Sequence, residues 1–416
     1  MSVPTEAVRA EFPILQRAIH GHPLAYLDNA STTQKPKAVI EAFTEFWSRS
    51  NANIHRGVYQ LSEEASDAYE QARSRVACFL NAPEASQVIF TRGTTESINL
   101  AAYAWARPRL QPDDRILLTE MEHHSNQVPW QVVAQERGAQ LDYVPILDSG
   151  VLDLEVLQTL LCRRPKLLAV TAISNVLGTI NPLPEIIALA HKHEVPVLVD
   201  AAQAVGRFPL DVRALGCDFL AFSGHKVYGP TGIGALYVQA DRLAEMQPWQ
   251  GGGGMISRVS RERSTWAEAP ARFEAGTPPV AEAVGLNAAL DFVERWGIAE
   301  IQQHERDLTD LALGLLVEEP GVTLFGPSST DQRSGLVSFA LEGVHPHDVA
   351  QILDESGIAV RAGHHCAQVL HERLQVPATV RMSFGIYNTD EEVRRTQQAL
   401  AQVREVSITS RYWSEP

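Results

Sequence analysis

Strand-like apolar runs alternate with helix-like stretches along most of this chain. Val195–Val199 and Phe219–Phe222 are two such runs, rich in β-branched or aromatic residues, and each ends abruptly in polar residues. Runs of this length that are bounded by turn residues are typical of buried strands. Elsewhere apolar residues recur every three or four positions, as in Ala65–Phe79 and Leu183–His193, which predicts helices. The repeated alternation predicts an α/β fold with an open, mostly parallel sheet.

The pattern changes near Gly297. Beyond it, strands are predicted at Gly335–Leu341 and Ala359–Arg361, with a helix at His347–Glu355 and a final helix from Asp390. This order is typical of a smaller α+β domain. We therefore expect three segments: residues 1–20, an amphipathic helix that packs on the small domain; residues 21–297, the large domain; and residues 298–416, the small C-terminal domain.

Composition excludes several classes of protein. The formal net charge of −15 argues against nucleic acid as a partner, since phosphate binding needs a concentrated basic surface. No apolar run approaches the ~18 residues that a membrane helix requires, and charges interrupt the first residues where a signal peptide is apolar. We expect a cytoplasmic protein without membrane contact. The cysteines lie far apart without a C-x-x-C pair, which predicts free thiols and no structural zinc. They are Cys78, Cys162, Cys217 and Cys366.

Two charged residues follow the two apolar runs described first. Asp200 ends the first run, and Lys226 follows the second in the sequence Ser223-Gly224-His225-Lys226. Ligands of α/β sheets bind at the carboxyl ends of the strands, where a partly desolvated lysine is a candidate nucleophile that forms a Schiff base. An internal ion pair between Asp200 and Lys226 is the alternative interpretation.

A glycine turn between a strand and a helix predicts an anion site. The predicted strand Gln87–Phe90 leads into the sequence TRGTTES at 91–97, and a helix follows. Free backbone N–H groups at such a turn can face a phosphate, and the hydroxyl groups of Thr94 and Thr95 add donors. The turn is not a Walker loop, because GxxxxGK is absent. The threonines could instead serve only as helix caps.

Histidines mark two further polar segments. His123 and His124 follow the predicted strand Arg115–Thr119, and side chains at adjacent positions do not converge as metal ligands do, so no metal site is predicted. An imidazole there could stack on a planar cofactor ring. His55 and Arg56 lie beside a glycine in the segment 51–60, for which an ordinary exposed loop is an equal interpretation.

The predicted small domain contains a candidate thiol and a candidate anion ligand. Cys366 is flanked by histidines in a loop that contains Gly363, a setting that favours a nucleophilic thiolate. Arg381 lies on a short alternating strand, Val380–Phe384, and its guanidinium group could bind a carboxylate with two hydrogen bonds. A surface charge on that strand is an equal interpretation.

An amine, an acid, a phosphate cradle and a flat imidazole are together what pyridoxal 5′-phosphate requires. The segments LDNASTTQKP, NIHRGVY, TRGTTESIN, MEHHSN, SNVLGTINP, DAAQAVG, SGHKVYGPTGIG, FEAGTPP and RAGHHCA occur in this order over nearly the whole chain. They resemble the class V aminotransferase group of fold-type I pyridoxal-phosphate enzymes, and in particular the SufS-type (group II) cysteine desulfurases.

The resemblance implies roles in cofactor binding. Lys226 would bind pyridoxal 5′-phosphate covalently and carry the Cα proton, and Asp200 would keep the pyridine nitrogen protonated. His123 would stack on the ring and act in proton transfer. The remaining implied contacts are Gln203 with the phenolic oxygen, Thr94, Thr95, Ser223 and His225 with the phosphate, and Thr277 of the partner subunit with the same phosphate.

The resemblance also implies a reaction. Arg381, helped by Asn175, would bind the carboxylate of L-cysteine, and His55 and Arg56 would lie near the other subunit's pocket. Cys366 would attack the sulfur of the substrate, leaving a persulfide on the enzyme and releasing L-alanine. The short RAGHHCA loop implies a docking acceptor protein, SufE-like or SufU-like, for iron–sulfur cluster assembly, and the shared site implies a homodimer.

Three alternatives remain open from the sequence. An aminotransferase or a kynureninase-like lyase would not need Cys366. A selenocysteine lyase would use the same site, because sulfur and selenium share this chemistry. A scaffold that keeps the fold without catalysis would be colourless, whereas an enzyme with the cofactor bound to Lys226 would be yellow.

Overall fold

The structure is a computed structural model that describes residues 4–412, with side chains described through Arg404. Residues 1–3 and 413–416, which the predicted segments 1–20 and 298–416 include, lie outside the described residues. Helices and strands both contribute, and the predicted α/β fold is confirmed. None of the helices within the described part of the chain is long and apolar enough to span a membrane.

A seven-stranded sheet forms the centre of the larger part. Gly234–Val238 is antiparallel to both of its neighbours, and the other pairings in this sheet are parallel, as the mostly parallel prediction requires. In spatial order the strands are Val88–Thr91, Gly234–Val238, Phe219–Ser223, Val197–Asp200, Leu167–Thr171, Arg115–Thr119 and Gln140–Val144.

Helices cover both faces of this sheet. Alternate residues of one strand point to opposite faces, so that Val199 packs in one core cluster and Leu198 in the other. Both side chains are fully buried, which explains the continuous apolar run in the sequence. The α-helices of this part are Lys37–Glu45, Gln60–Phe79, Thr94–Leu100, Val128–Arg137, Leu154–Leu161, Leu183–Lys192, Val212–Leu215, Ala240–Glu245 and Val280–Trp296, with π-helical turns at Phe46–Ser50 and Ala101–Ala106.

The C-terminal part is built on a four-stranded antiparallel sheet. In spatial order its strands are Val322–Phe325, Leu336–Leu341, Thr379–Ser383 and Arg361–Gly363. Its helices are Ile298–Val317, Pro346–Glu355, Gln368–Leu374 and Asp390–Tyr412. The single strand predicted at residues 359–361 is divided at Val360, because Ile358–Ala359 and Arg361–Gly363 pair with different partners.

A short N-terminal strand pairs with this C-terminal part. Ala25–Tyr26 runs parallel to Ile358–Ala359, and Asp28 forms a bridge with Ser383. Ala25 and Leu27 are fully buried in the same core cluster as the C-terminal helices. Residues 25–28 therefore pack with the C-terminal sheet, although the sequence places them in the segment 21–297.

The single helix predicted for residues 1–20 is wrong in extent. The α-helix covers only Thr5–Arg9, and a 3₁₀ turn follows at Pro13–Gln16. Pro13 ends the helical pattern because its ring lacks an N–H and clashes with the preceding turn. Phe12 between the two is fully buried and contacts the aromatic rings of Phe292 and Tyr387.

Candidate active site

Polar side chains from both parts of the chain line one cavity of about 200 Å³ at the carboxyl ends of the parallel strands. The structure brings most of the predicted site residues to it, namely Thr94, Thr95, His123, Asn175, Asp200, Gln203, Ser223, His225, Lys226, Cys366 and Arg381. Residues that the sequence did not single out also line it, namely Ala30, Ser31, Ser125, Thr171, Ile173, Ala202, Arg361 and His365.

Asp200 and Lys226 both line this cavity. Neither forms an ion pair, with the other or with any residue among 4–404. Asp200 ends its strand and accepts a hydrogen bond of 2.9 Å from the N–H of Ala202. Burial raises the pKa of the Asp200 carboxyl group, and burial lowers the pKa of the Lys226 amine to about 8. A pocket with an unpaired acid at one end and a partly neutral amine at the other can hold a basic ring and form a covalent bond to a carbonyl compound.

The predicted anion site is a group of converging hydroxyl groups. The Ser223 hydroxyl oxygen accepts a hydrogen bond of 2.8 Å from the N–H of Thr94 and lies 2.7 Å from the Thr94 hydroxyl group. Gly93 has a φ of +147°, a conformation that favours glycine. Thr95 bonds the hydroxyl group of Ser125 at 2.6 Å. Burial first, and then the charge of nearby lysines, lowers the pKa of His225 beside this group to about 4.

His123 is a neutral imidazole at the edge of the cavity. Its Nδ1 accepts a hydrogen bond of 3.0 Å from the N–H of Ser125, which fixes the ring. Burial and the charge of Lys226 lower the pKa of His123 to about 3. The ring therefore carries no proton on Nδ1 at neutral pH and is available for stacking and for proton transfer.

Glu122 is a buried acid beneath His123 that sequence reasoning missed. Its carboxyl oxygens accept hydrogen bonds from the Thr119 hydroxyl group at 2.6 Å, the Thr171 N–H at 2.9 Å and the Asn126 amide at 2.6 Å. Glu122 thereby ties the ends of two adjacent strands together and supports the His123 turn. Only its place beside a predicted histidine could have drawn attention to it.

Gln203 carries an unused hydrogen-bonding atom. Its Nε2 donates to the carbonyl oxygen of Ala30 at 2.8 Å, and its buried Oε1 has no partner among the described residues. An amide that is left partly unsatisfied at a cavity is ready for a polar ligand.

Arg381 is the buried cation of the cavity. Its Nη2 donates to the Ser31 hydroxyl group at 2.8 Å and to Asp28 at 3.1 Å, and its Nη1 donates to the carbonyl oxygen of Asn175 at 2.8 Å. Its Nε is buried without a partner in the part of the chain that the structure describes. Burial lowers the pKa of Arg381 to about 10, so the group stays charged at neutral pH and can bind a carboxylate.

The Cys366 loop is attached to the large part by hydrogen bonds. The Asn175 amide donates to the carbonyl oxygen of His365 at 2.7 Å, and the ring of His124 accepts from the N–H of Gln368 at 3.2 Å. His365 and Cys366 both have left-handed backbone angles, with φ of +51° and +58°. Such angles are costly for residues other than glycine, so the surrounding contacts hold this loop conformation.

Three predicted site residues lie away from this cavity in the single chain. Thr277 lines a different cavity of about 740 Å³, together with Trp47 and Trp249. His55 and Arg56 are exposed, and the ring of His55 pairs with Glu70 at 3.2 Å. Their expected approach to the pocket of a partner subunit stays a prediction.

Comparison with known proteins assigns the family. The model of "Aminotransferase class-V" matches residues 25–396, which is most of the chain. The chain belongs to the class-V aminotransferase family. One curated relative is a cysteine desulfurase of Salmonella agona, which is 50% identical over 97% of this chain and 99% of the relative. Another is a cysteine desulfurase of Klebsiella pneumoniae, which is 49% identical over 98% of this chain and 100% of the relative.

Solved structures of similar class-V proteins agree with this assignment. The Escherichia coli cysteine desulfurase CsdA matches with a TM-score of 0.89 at 43% identity, covering 97% of this chain and 98% of that one. The apo cysteine desulfurase of Thermococcus onnurineus NA1 matches with a TM-score of 0.92 at 39% identity and the same coverage. A third structure is a lysine-to-alanine mutant of C-DES, in which glycine is covalently linked to the pyridoxal phosphate cofactor. It is 26% identical with a TM-score of 0.81, and the match covers 94% of this chain and 98% of that one. The predicted family resemblance is confirmed.

Proposed function

We infer that this chain is a pyridoxal 5′-phosphate-dependent cysteine desulfurase, which converts L-cysteine to L-alanine and passes the sulfur to an acceptor. The relatives at about half identity over the whole chain confirm the predicted enzyme class. The single structural observation that carries the proposal is that Cys366, Lys226 and Arg381 line the same cavity. A thiol, an amine and a carboxylate ligand in one pocket match the needs of this reaction.

The residues of the pocket fit the cofactor. The unpaired Asp200 suits a protonated pyridine nitrogen, the unsatisfied Gln203 amide suits a ring oxygen, and the hydroxyl groups of Thr94 and Ser223 suit a phosphate. Lys226 would hold the cofactor covalently. When bound, pyridoxal 5′-phosphate draws electrons from the substrate and so weakens the bonds that break at Cα and Cβ.

The remaining chemistry belongs to side chains of the chain. Arg381 binds the substrate carboxylate and orients Cα toward Lys226, whose amine accepts the Cα proton. Cys366 attacks the substrate sulfur, so that its Sγ forms the new S–S bond while the Cβ–S bond breaks. The balance is one cysteine and one thiol in, one alanine and one persulfide out. His123, neutral at working pH, moves a proton or stacks on the ring.

We propose that the enzyme acts as a homodimer. Large apolar side chains are exposed on one chain around the segment that carries His55 and Arg56; Val58 is 96% exposed, and Trp47 and Tyr59 are each 53% exposed. Apolar exposure of this kind is typical of an interface between protein chains. In such a dimer Thr277, His55 and Arg56 of one subunit would approach the pocket of the other.

The sulfur acceptor is a SufE-like or SufU-like protein in this proposal, and the cell compartment is the cytoplasm. The part-buried position of Cys366 in a short, tightly held loop supports an acceptor that docks on the loop.

Purified protein tests the proposal. We expect a yellow protein that bleaches on borohydride reduction and that releases alanine from L-cysteine, faster with a SufE-like acceptor. Cys366→Ala should keep the colour and lose alanine formation by about a thousandfold or more, because the nucleophile is gone. Cys162→Ala, at an exposed thiol outside the cavity, is the matched control. A colourless protein, or full turnover by Cys366→Ala, contradicts the proposed function.

A further inference from the structure

Lys35 directs its ammonium group inward, against the turn Gly224–Lys226. Its Nζ donates to the carbonyl oxygens of Thr33 at 2.6 Å and His225 at 3.0 Å. No carboxylate lies within ion-pair distance of it among the residues with described side chains. Burial lowers the pKa of Lys35 to about 7, so the amine is divided between its charged and neutral forms near neutral pH. A buried amine in such a place needs an explanation beyond solubility.

The carbonyl oxygen of His225 is the common acceptor of this region. A carbonyl oxygen has two lone pairs, yet four donors converge on this one. They are the Thr33 N–H at 3.0 Å, the Thr32 hydroxyl group at 3.0 Å, the Thr33 hydroxyl group at 3.2 Å and the Lys35 ammonium group at 3.0 Å. The peptide between His225 and Lys226 is therefore held by residues that do not line the pocket.

The same segment fixes the chain beyond Lys226. The Thr33 hydroxyl oxygen accepts a hydrogen bond of 2.9 Å from the N–H of Tyr228, whose φ of +63° is left-handed. Residues 32–35 thus bond the backbone on both sides of Lys226, whereas the amine itself is left free for chemistry.

Lys35 also acts on the neighbouring imidazole through charge. The pKa of His225 is lowered by burial, by Lys226 and by Lys35, to about 4. His225 lines the cavity beside the hydroxyl cradle of Thr94 and Ser223. In its charged form the Lys35 amine therefore adds to the effects that favour a neutral His225 ring at the anion end of the pocket.

We propose that Lys35 is a positioning residue, which holds the His225–Lys226 peptide through the His225 carbonyl oxygen and so directs the Lys226 amine and the His225 imidazole into the pocket. It does so without lining the cavity. This inference rests on the proposed function only in that Lys226 binds pyridoxal 5′-phosphate; it does not depend on which amino acid is the substrate.

The test measures cofactor attachment and cofactor orientation. Apoenzyme is mixed with pyridoxal 5′-phosphate, the visible absorbance reports attachment to Lys226, and visible circular dichroism reports the orientation of the bound ring. In Lys35→Met, which removes the amine, we expect attachment about tenfold slower or more and a reduced dichroism per bound cofactor, because the hydrogen bonds from Lys35 to the carbonyl oxygens of Thr33 and His225 are lost. Lys35→Gln, which restores a donor without charge, should recover part of both.

Lys37→Met is the matched control. Lys37 lies two positions away, its side chain is 67% exposed, and it pairs with Glu41 on its own helix, so its loss should leave both readouts unchanged. Thermal unfolding of each apoenzyme separates a loss of stability from a loss of positioning. If Lys35→Met does not fold, the comparison is made with Lys35→Gln.

The outcomes are distinct. Attachment and dichroism like those of the wild type, or a lowered melting temperature as the only change, overturn the positioning role. A wild type that binds the cofactor but releases no alanine from cysteine contradicts the proposed function alone, and the Lys35 comparison still stands. A wild type that takes up no cofactor overturns both.

Discussion

The backbone N–H of His124 donates a hydrogen bond of 2.7 Å to the carbonyl oxygen of Cys366. His124 follows a strand of the large sheet, whereas Cys366 belongs to the C-terminal part. The backbone of Cys366, the proposed nucleophile, is thus attached to the turn that carries His123.

We expect Asn175→Ala to loosen this attachment, because its amide bonds the carbonyl oxygen of His365. Single-turnover persulfide formation on Cys366 should slow about tenfold, since one buried hydrogen bond is lost, while the KM for cysteine changes little. Asn81→Gly removes an amide that does not line the pocket, at a left-handed position that glycine tolerates, and serves as the control. A raised KM with an unchanged rate would instead support the predicted role of Asn175 in carboxylate binding.

Arg381→Lys should raise the KM for cysteine by about tenfold or more. Lysine keeps the charge but cannot offer the planar pair of donors that grips a carboxylate, and it cannot keep all the contacts to Asp28, Ser31 and Asn175. Steady-state kinetics with cysteine measure the effect, and Arg394→Lys on the exposed side of the last helix is the control. Kinetics identical to those of the wild type would remove Arg381 from the substrate site.

Cofactor attachment should depend on pH with a midpoint near pH 8. In the proposed function the free amine of Lys226 is the nucleophile, and burial lowers its pKa from 10.5 to about 8. The attachment rate should therefore rise as the pH increases toward 8 and level off above it, because the protonated form disappears there. Stopped-flow absorbance of apoenzyme mixed with pyridoxal 5′-phosphate measures the profile; a midpoint near 10.5 would show a solvated lysine.

Gly93→Ala should weaken cofactor binding. At a φ of +147° an alanine is strained, and its Cβ would lie 3.1 Å from the Ser223 hydroxyl oxygen that completes the anion cradle. Gly314→Ala is the matched control, because Gly314 lies inside the helix Ile298–Val317 with open space around it, and there alanine should stabilise the fold by about 0.5–1 kcal/mol. Cofactor release by dialysis and melting temperatures distinguish the two variants.

Local sequence predicts this protein well where one strand or one turn carries the information. The ends of the strands at Asp200 and Ser223 follow from short apolar runs, because both faces of the sheet are covered. The strand Gln140–Val144 lies at the edge of the sheet, and Val144 is its one buried residue. Its sequence therefore contains no apolar run from which the strand could be predicted.

Contacts between distant segments are what the sequence could not supply. Ser31, Glu122 and Lys35 act through hydrogen bonds to residues far along the chain or to a neighbouring strand, and no periodicity marks such partners. The approach of Arg381 to Lys226 likewise depends on how the two parts of the chain meet. The family resemblance placed Ser31, Lys35 and Glu122 within motifs, but it did not identify their hydrogen-bond partners.

The pairing of residues 25–28 with the C-terminal sheet has a consequence for protein synthesis. The ribosome makes Ala25–Tyr26 about 330 residues before their partner strand Ile358–Ala359. Closing so long a loop is slow, and the large sheet and Lys226 are synthesised before the partner strand exists. A nascent chain can thus form the large-sheet side of the pocket early, but the pocket is complete only after residues 358–381 have been made.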